Sequence, residues 1–283
     1  MGDKESTVRM RELGLALRRA LRERGLESKE VARRMRWSPS KISHILRATR
    51  GVSEADVSSL LTMCDIVGEE RERLLELNRR AHEPGWLQEF GDRLPAELRT
   101  LIDHEDAAAA INAYHGHLIP GLLQIPDYSR AIMAESVTIP PDEIDERIEA
   151  RLHRQEILDR RRAPLCRFFV DEYALSRTGP GPEIKSDQLH HLLRLSVRPR
   201  VVIRVIPDEV GFHAAIATPF VLMEFTEINP VLHLENENTS VFPERKETVA
   251  SYQKILARLD TVALDPEQSR EWIASLASEL GAP

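Results

Sequence analysis

No apolar run in these 283 residues reaches the length of a membrane span. The opening residues, Met1-Gly2-Asp3-Lys4-Glu5, have no apolar stretch behind them of the kind a secretory signal needs. The expectation is a cytoplasmic protein with no membrane partner. Cysteine is scarce: Cys64 and Cys166 stand far apart and form no Cys-x-x-Cys pair. That argues against a disulfide framework or zinc site and fits two ordinary buried thiols in a reducing compartment. There is no nucleophile elbow, no glycine loop to cradle a phosphate and no kinase signature set. Repeats and low-complexity tracts are missing too. The expectation is therefore no enzyme and no cofactor.

What is present is an uneven charge. The chain carries a net -7, which by itself gives no hint of nucleic acid. Between Arg9 and Arg50, however, thirteen Lys and Arg face only four acids, a surplus of nine that leaves the rest at -16. Such asymmetry suggests one surface suited to phosphate and another repelled by it. The bland alternative is a solvated helical face.

Up to about Ala81 the pattern is of short helices separated by tight turns. Leu13, Leu17 and Leu21 recur at four-residue spacing beside Ala16 and Ala20, and Gly25 ends that helix. Val31, Ala32 and Met35 mark a second helix. Ser38-Pro39, a cap followed by proline at the first helical position, opens a third whose buried face is Ile42, Ile45 and Leu46. Ser53 caps a fourth helix carrying Val57, Leu60, Leu61 and Cys64. Leu74, Leu75 and Leu77 sit on a fifth, Glu69 to Ala81. His82-Glu83-Pro84-Gly85 breaks the pattern and sets the expected domains at 1–82 and 83–283.

Ser28 to Leu46 has helix-turn-helix spacing. Two helices that cross closely need a small residue where they touch, and Ala32 supplies it. Met35, Ile42 and Ile45 form the shared apolar seam. Ser40, Lys41 and His44 then point away from the seam, and all three can hydrogen-bond base edges. Ser28, Lys29, Ser43, Arg47 and Arg50 are candidates for phosphate contact. The rival is a five-helix domain used for protein contacts. The stretch resembles the Cro/repressor type of helix-turn-helix, the xenobiotic-response-element family, over roughly Leu13 to Ala81. In that family the turn usually holds a left-handed glycine; here Arg36 occupies the place. The position that often carries a contacting glutamine is Ser28, which implies a weaker contact there.

The second region mixes helix and strand. Helix-like sequence runs from about Pro95 to Tyr114, with further helices at Pro141–Arg161, Ser186–Leu195, Glu247–Leu259 and Pro266–Leu280. Strand character marks Leu165–Val170, Val201–Ile206, Phe220–Phe225 and Val231–Leu234. The fold class expected is α+β: an all-α five-helix domain, then a mixed α/β domain with a small sheet and flanking helices. Arg151 and Arg154-Gln155 could form an anion or partner site, but a solvated face is the default. Asp171-Glu172 could do acid–base work, although a helix N-terminal turn fits better because Tyr173-Ala174-Leu175 follows. His115-x-His117 lacks helical metal-ligand spacing, and His190-His191 read as surface residues. Trp37, Trp86 and Trp272 read as packing residues.

This region also resembles a known family through Tyr114, Leu118–Gln124, Tyr128-Ser129-Arg130-Ala131, Arg151, Arg154-Gln155, Leu158, Asp171–Leu175, Gln188-Leu189, Val205-Ile206-Pro207, Pro219-Phe220 and Glu235. It looks like the uncharacterised C-terminal domain of actinobacterial regulators that include the WhiJ-like, antitoxin-like transcription factors. The resemblance implies a partner-binding or signal-receiving role, with a small acidic protein as one partner. The whole chain then reads as a sequence-specific regulator on a double-stranded DNA operator, nucleoid-associated and homodimeric. Its rivals are a DNA-tethered catalytic domain built around Asp171, Glu172 and Glu235, or a protein-interaction adaptor.

Overall fold

The structure, a computed structural model, describes residues 8–47, 52–82, 90, 94–177, 179, 181–237, 239–243 and 245–280. Arg50, Trp86 and, of the break His82-Glu83-Pro84-Gly85, all but His82 lie outside the described residues; His82 is the last residue of the fifth helix rather than part of a break. The chain divides into two compact units, Met1–Gly91 with Phe225–Asn229, and Asp92–Glu224 with Pro230–Pro283.

Among the described residues the first unit contains α1 (Val8–Glu23), α2 (Ser28–Met35), α3 (Pro39–Arg47), α4 (Glu54–Met63) and α5 (Gly68–His82). Their apolar stripes close on one core that includes Leu13, Leu17, Val31, Ile42, Ile45, Val57, Leu60, Leu61, Ile66 and Leu74. Serines cap two helices as the sequence suggests: Ser38 Oγ accepts from the Lys41 amide at 3.1 Å, and Ser53 Oγ from the Asp56 amide at 3.1 Å. Three helices end in one device. After α1, α2 and α4 a left-handed residue follows, Gly25 (φ 63°), Arg36 (φ 52°) and Asp65 (φ 52°). The next amide, of Leu26, Trp37 or Ile66, reaches back to the carbonyl of Leu21, Ala32 or Leu61 at 2.9 Å each. These are Schellman motifs, and the residue after each left-handed turn is apolar and packs on the core. Trp37 thus plugs the core from the turn, as expected.

The second unit begins with α6 (Ala96–Ala107) and is built on a six-stranded sheet in the order β3-β2-β1-β4-β5-β6. Its strands are β1 (Ala110–His115), β2 (Leu165–Asp171), β3 (Val201–Ile206), β4 (Phe220–Glu224), β5 (Val231–Asn236) and β6 (Thr239–Val241). β1, β2 and β3 are parallel, while β4 runs antiparallel to β1. Helices α7 (Pro126–Glu135) and α8 (Ile144–Gln155) connect β1 to β2, and α9 (Glu172–Ser176) and α10 (Pro182–Ser196) connect β2 to β3. Helices α11 (Lys246–Val262) and α12 (Pro266–Leu280) close the chain. Phe168, Phe169 and Val170 are all buried, so β2 is covered on both faces, as parallel sheets require. Tyr114, Phe169, Ile206, Phe220, Leu222 and Leu232 share one face with Leu256 and Leu259 of α11.

One element differs from expectation. The helix read from Pro95 to Tyr114 stops at Ala107, and Ala110–His115 is the strand joining the parallel and antiparallel parts of the sheet. The alanines of 107–110 favour helix, but pairing on both sides and burial of Ile111, Asn112, Ala113 and Tyr114 override that preference. Asn112 is satisfied inside the sheet, receiving a hydrogen bond from Arg167 Nε at 2.7 Å.

Candidate functional site

α2 and α3 meet over Ala32, Ile42 and Ile45, all buried, with Met35 packed beside them. Arg36 makes the turn in the left-handed conformation that the resemblance assigns to that place. Ser40 and His44 on α3 are exposed, as is Arg47 in its last turn, and Ser43 is half-buried. Ser28 and Lys29 are exposed in the first turn of α2, where Glu27 occupies the cap position.

The basic surplus sorts into two groups. Some cations hold the unit together. Arg18 donates from Nη1 to the Leu46 carbonyl, tying α1 to the last turn of α3. Arg34 pairs with Glu30 along α2. Lys41 folds back: its Nζ lies 2.6 Å from Asp56 Oδ1 on α4 and 4.0 Å from the Trp37 ring centroid. Lys29, Arg33, Arg36 and Arg47 are exposed and make no ion pair among the described residues. The structural use of Arg18 was hidden in the sequence, where it counted only as charge.

In the second unit the solvated-face reading of Arg151, Arg154 and Gln155 is overturned. Arg154 grips Glu105 of α6 with two bonds of 2.8 Å, and both side chains are buried. Gln155 Nε2 donates to the carbonyls of Gly121 (3.0 Å) and Gln124 (2.7 Å). Arg151 Nη1 donates to Gln124 Oε1, which also accepts from Ser129 Oγ at 2.9 Å. Gln188 of α10 joins from the other side, donating to the Leu123 carbonyl at 2.8 Å and accepting from the Ile125 amide at 2.8 Å. Residues scattered from Ile119 to Gln188 thus share one polar network around Gln124, with the Arg154–Glu105 pair on the same helix. Helical periodicity placed the two arginines on a face but could not show that a loop some thirty residues earlier covers it.

Arg151 and Arg154 line a cavity of about 1000 Å³, together with His115, Leu118, Met133, Arg147, Phe220, His233 and Glu235. Burial, with help from neighbouring His233, Arg151 and Arg154, pushes His115 down to about 4, and burial does the same to His233, so both imidazoles are neutral near pH 7. His233 Nε2 lies 2.8 Å from Ser240 Oγ, and its ring stacks on Phe242.

The carboxylates considered for catalysis do not converge. Asp171 accepts from the Tyr114 hydroxyl at 2.8 Å and faces His213 Nε2 at 3.3 Å beside a smaller cavity of about 210 Å³. Glu172 begins α9 and accepts from the Asp208 amide, the helix-start role that its sequence context favours. Glu235 lines the large cavity instead. His115 and His117 assemble no metal cluster among the described residues, and His190 is exposed on α10. Cys64 and Cys166 are buried free thiols, and burial pushes Cys166 up to about 12.

Residues 12–74 match the model of a helix-turn-helix domain, which suggests a DNA-binding regulator. Residues 98–275 match a domain of unknown function, DUF5753, and the chain belongs to that family. Comparisons with curated proteins and with solved structures give no match. Among the described residues no helix is long and apolar enough to cross a membrane.

Proposed function

We propose that the protein is a sequence-specific transcriptional regulator, not an enzyme, whose residues 1–82 bind an operator and whose residues 83–283 dimerise and receive a signal from a small ligand or protein partner. The observation that carries the reading is the helix-turn-helix itself. A recognition helix seated on Ala32, Ile42 and Ile45 exposes Ser40 and His44 on its outer face. In this reading Ser40, Lys41 and His44 contact base edges, while Ser28, Lys29, Ser43, Arg47 and Arg50 contact phosphate. Lys41 reaches DNA by exchanging Asp56 for an acceptor in the groove.

Binding-site selection from random duplexes, with the full chain and with His44→Ala, tests this. The expected result is a defined consensus for the native chain, relaxed at one or two base pairs in the variant with a loss of about 1–3 kcal/mol. The same consensus at the same affinity in both would remove His44 from the interface. No enrichment at all would favour the protein-interaction adaptor.

A further inference from the structure

The large cavity of the second unit lies beside the carboxyl end of β1, where the sheet changes from parallel to antiparallel. Ligands of open α/β sheets bind outside the carboxyl ends of the strands, where the strand order reverses, and in the order β3-β2-β1-β4 that reversal falls at β1. The volume, about 1000 Å³, suits a small organic molecule. The lining includes the apolar side chains of Leu98, Leu101, Ile132, Met133, Ile139 and Phe220.

Three arginines of α8 reach this cavity, and they are not equivalent. Arg147 is neutralised by Glu143 at 2.7 Å. Arg154 is neutralised by Glu105. Arg151 has no carboxylate within ion-pair distance among the described residues: Glu235 and Glu105 act on it only through space, its hydrogen-bond partners are the neutral Gln124 and Ser129, and its Nε is buried without any hydrogen bond. A buried guanidinium with no anion in direct contact is costly, and part of that cost is recovered when a carboxylate or similar group arrives. His115 and His233 line the same space as neutral imidazoles, able to donate or accept without adding charge. The exposed glutamates Glu97, Glu135, Glu235 and Glu237 also line the cavity; their repulsion grows with ligand charge, so it weighs against a polyanion such as nucleic acid far more than against a monoanion in contact with Arg151.

We propose that this cavity binds a small organic anion with an apolar body, its carboxylate, sulfonate or phosphate held by Arg151. This gives the signal-receiving role proposed above a site and a ligand class, and rests on that reading only for its purpose. Anion binding is measured without DNA, so its failure leaves operator binding standing.

The probe is 8-anilinonaphthalene-1-sulfonate, an aromatic anion whose fluorescence rises in apolar surroundings, titrated into the full chain. The expected result is saturable one-to-one binding, displaced by decanoate and not by decanol at the same concentration. Arg151→Gln is expected to weaken the complex by roughly tenfold or more, and Arg151→Lys by less because it keeps the charge. Circular dichroism reports whether each variant retains its fold. Should Arg151→Gln fail to fold, the decanoate–decanol comparison on the native chain decides. Unsaturable binding, displacement by decanol as effective as by decanoate, or undiminished binding to a folded Arg151→Gln would each overturn the proposal.

Discussion

Arg36 holds a left-handed backbone that glycine would adopt without strain, and its exposed side chain makes no ion pair among the described residues. Arg36→Gly is therefore expected to raise stability by about 1 kcal/mol in denaturant unfolding without DNA. A variant no more stable than the native chain would show that the turn carries no strain. His115 and His233 supply a second residue-scale test. Their folded values lie below the ordinary imidazole value, so the unfolded chain takes up these protons first as pH falls. The stability they contribute is complete above about pH 6.5 and is lost as pH falls toward about 4, on the order of 2 kcal/mol per imidazole at pH 5. His233→Gln should flatten this part of the pH dependence, read through Trp272 after Trp37 and Trp86 are replaced by Phe. An unchanged slope would contradict burial of a neutral imidazole.

Among the elements, α3 depends on its neighbours. Lys41 is held by Asp56 and must be released to touch DNA, so Asp56→Asn is expected to strengthen operator binding by up to about 1 kcal/mol. In a Lys41→Ala background the same change should add nothing, because the partner is gone. An equal gain in both backgrounds would mean that Asp56 acts only as a charge near DNA. The first unit was legible because its signals are local: apolar spacing, Ser caps and left-handed turns all act within a few residues. Strands β2 to β5 were legible from Val, Ile and Phe runs bounded by polar or proline residues. β1 was not, because its alanine-rich approach reads as helix until its two partner strands are in place. β6, three residues at the sheet edge, carries too little pattern to stand out. Arg151 and Arg154 show a further limit. Their helix was legible, but their burial under Gly121 and Gln124, and their unequal neutralisation, exist only in the folded unit.

For the whole molecule, the charge division is the feature to explain. A basic surplus of nine between Arg9 and Arg50 against -16 elsewhere suits a DNA-binding head joined to a body that avoids DNA. One recognition helix reads only a few base pairs, so a unique address calls for two heads on a two-fold symmetric operator. We therefore expect a homodimer whose main contact uses residues beyond Gly85. Sedimentation of the full chain at micromolar concentration tests it, and a monomer both free and on operator DNA would refute it. The measurement that bears most directly on the account is fluorescence anisotropy of the full chain on a selected duplex and on its scrambled counterpart, across a salt series. The expected result is tighter binding to the selected duplex by roughly a thousandfold or more, with affinity for both falling linearly in logarithmic salt. Equal affinity for the two duplexes, or binding to neither, would contradict the assignment of this chain as a sequence-specific DNA-binding regulator.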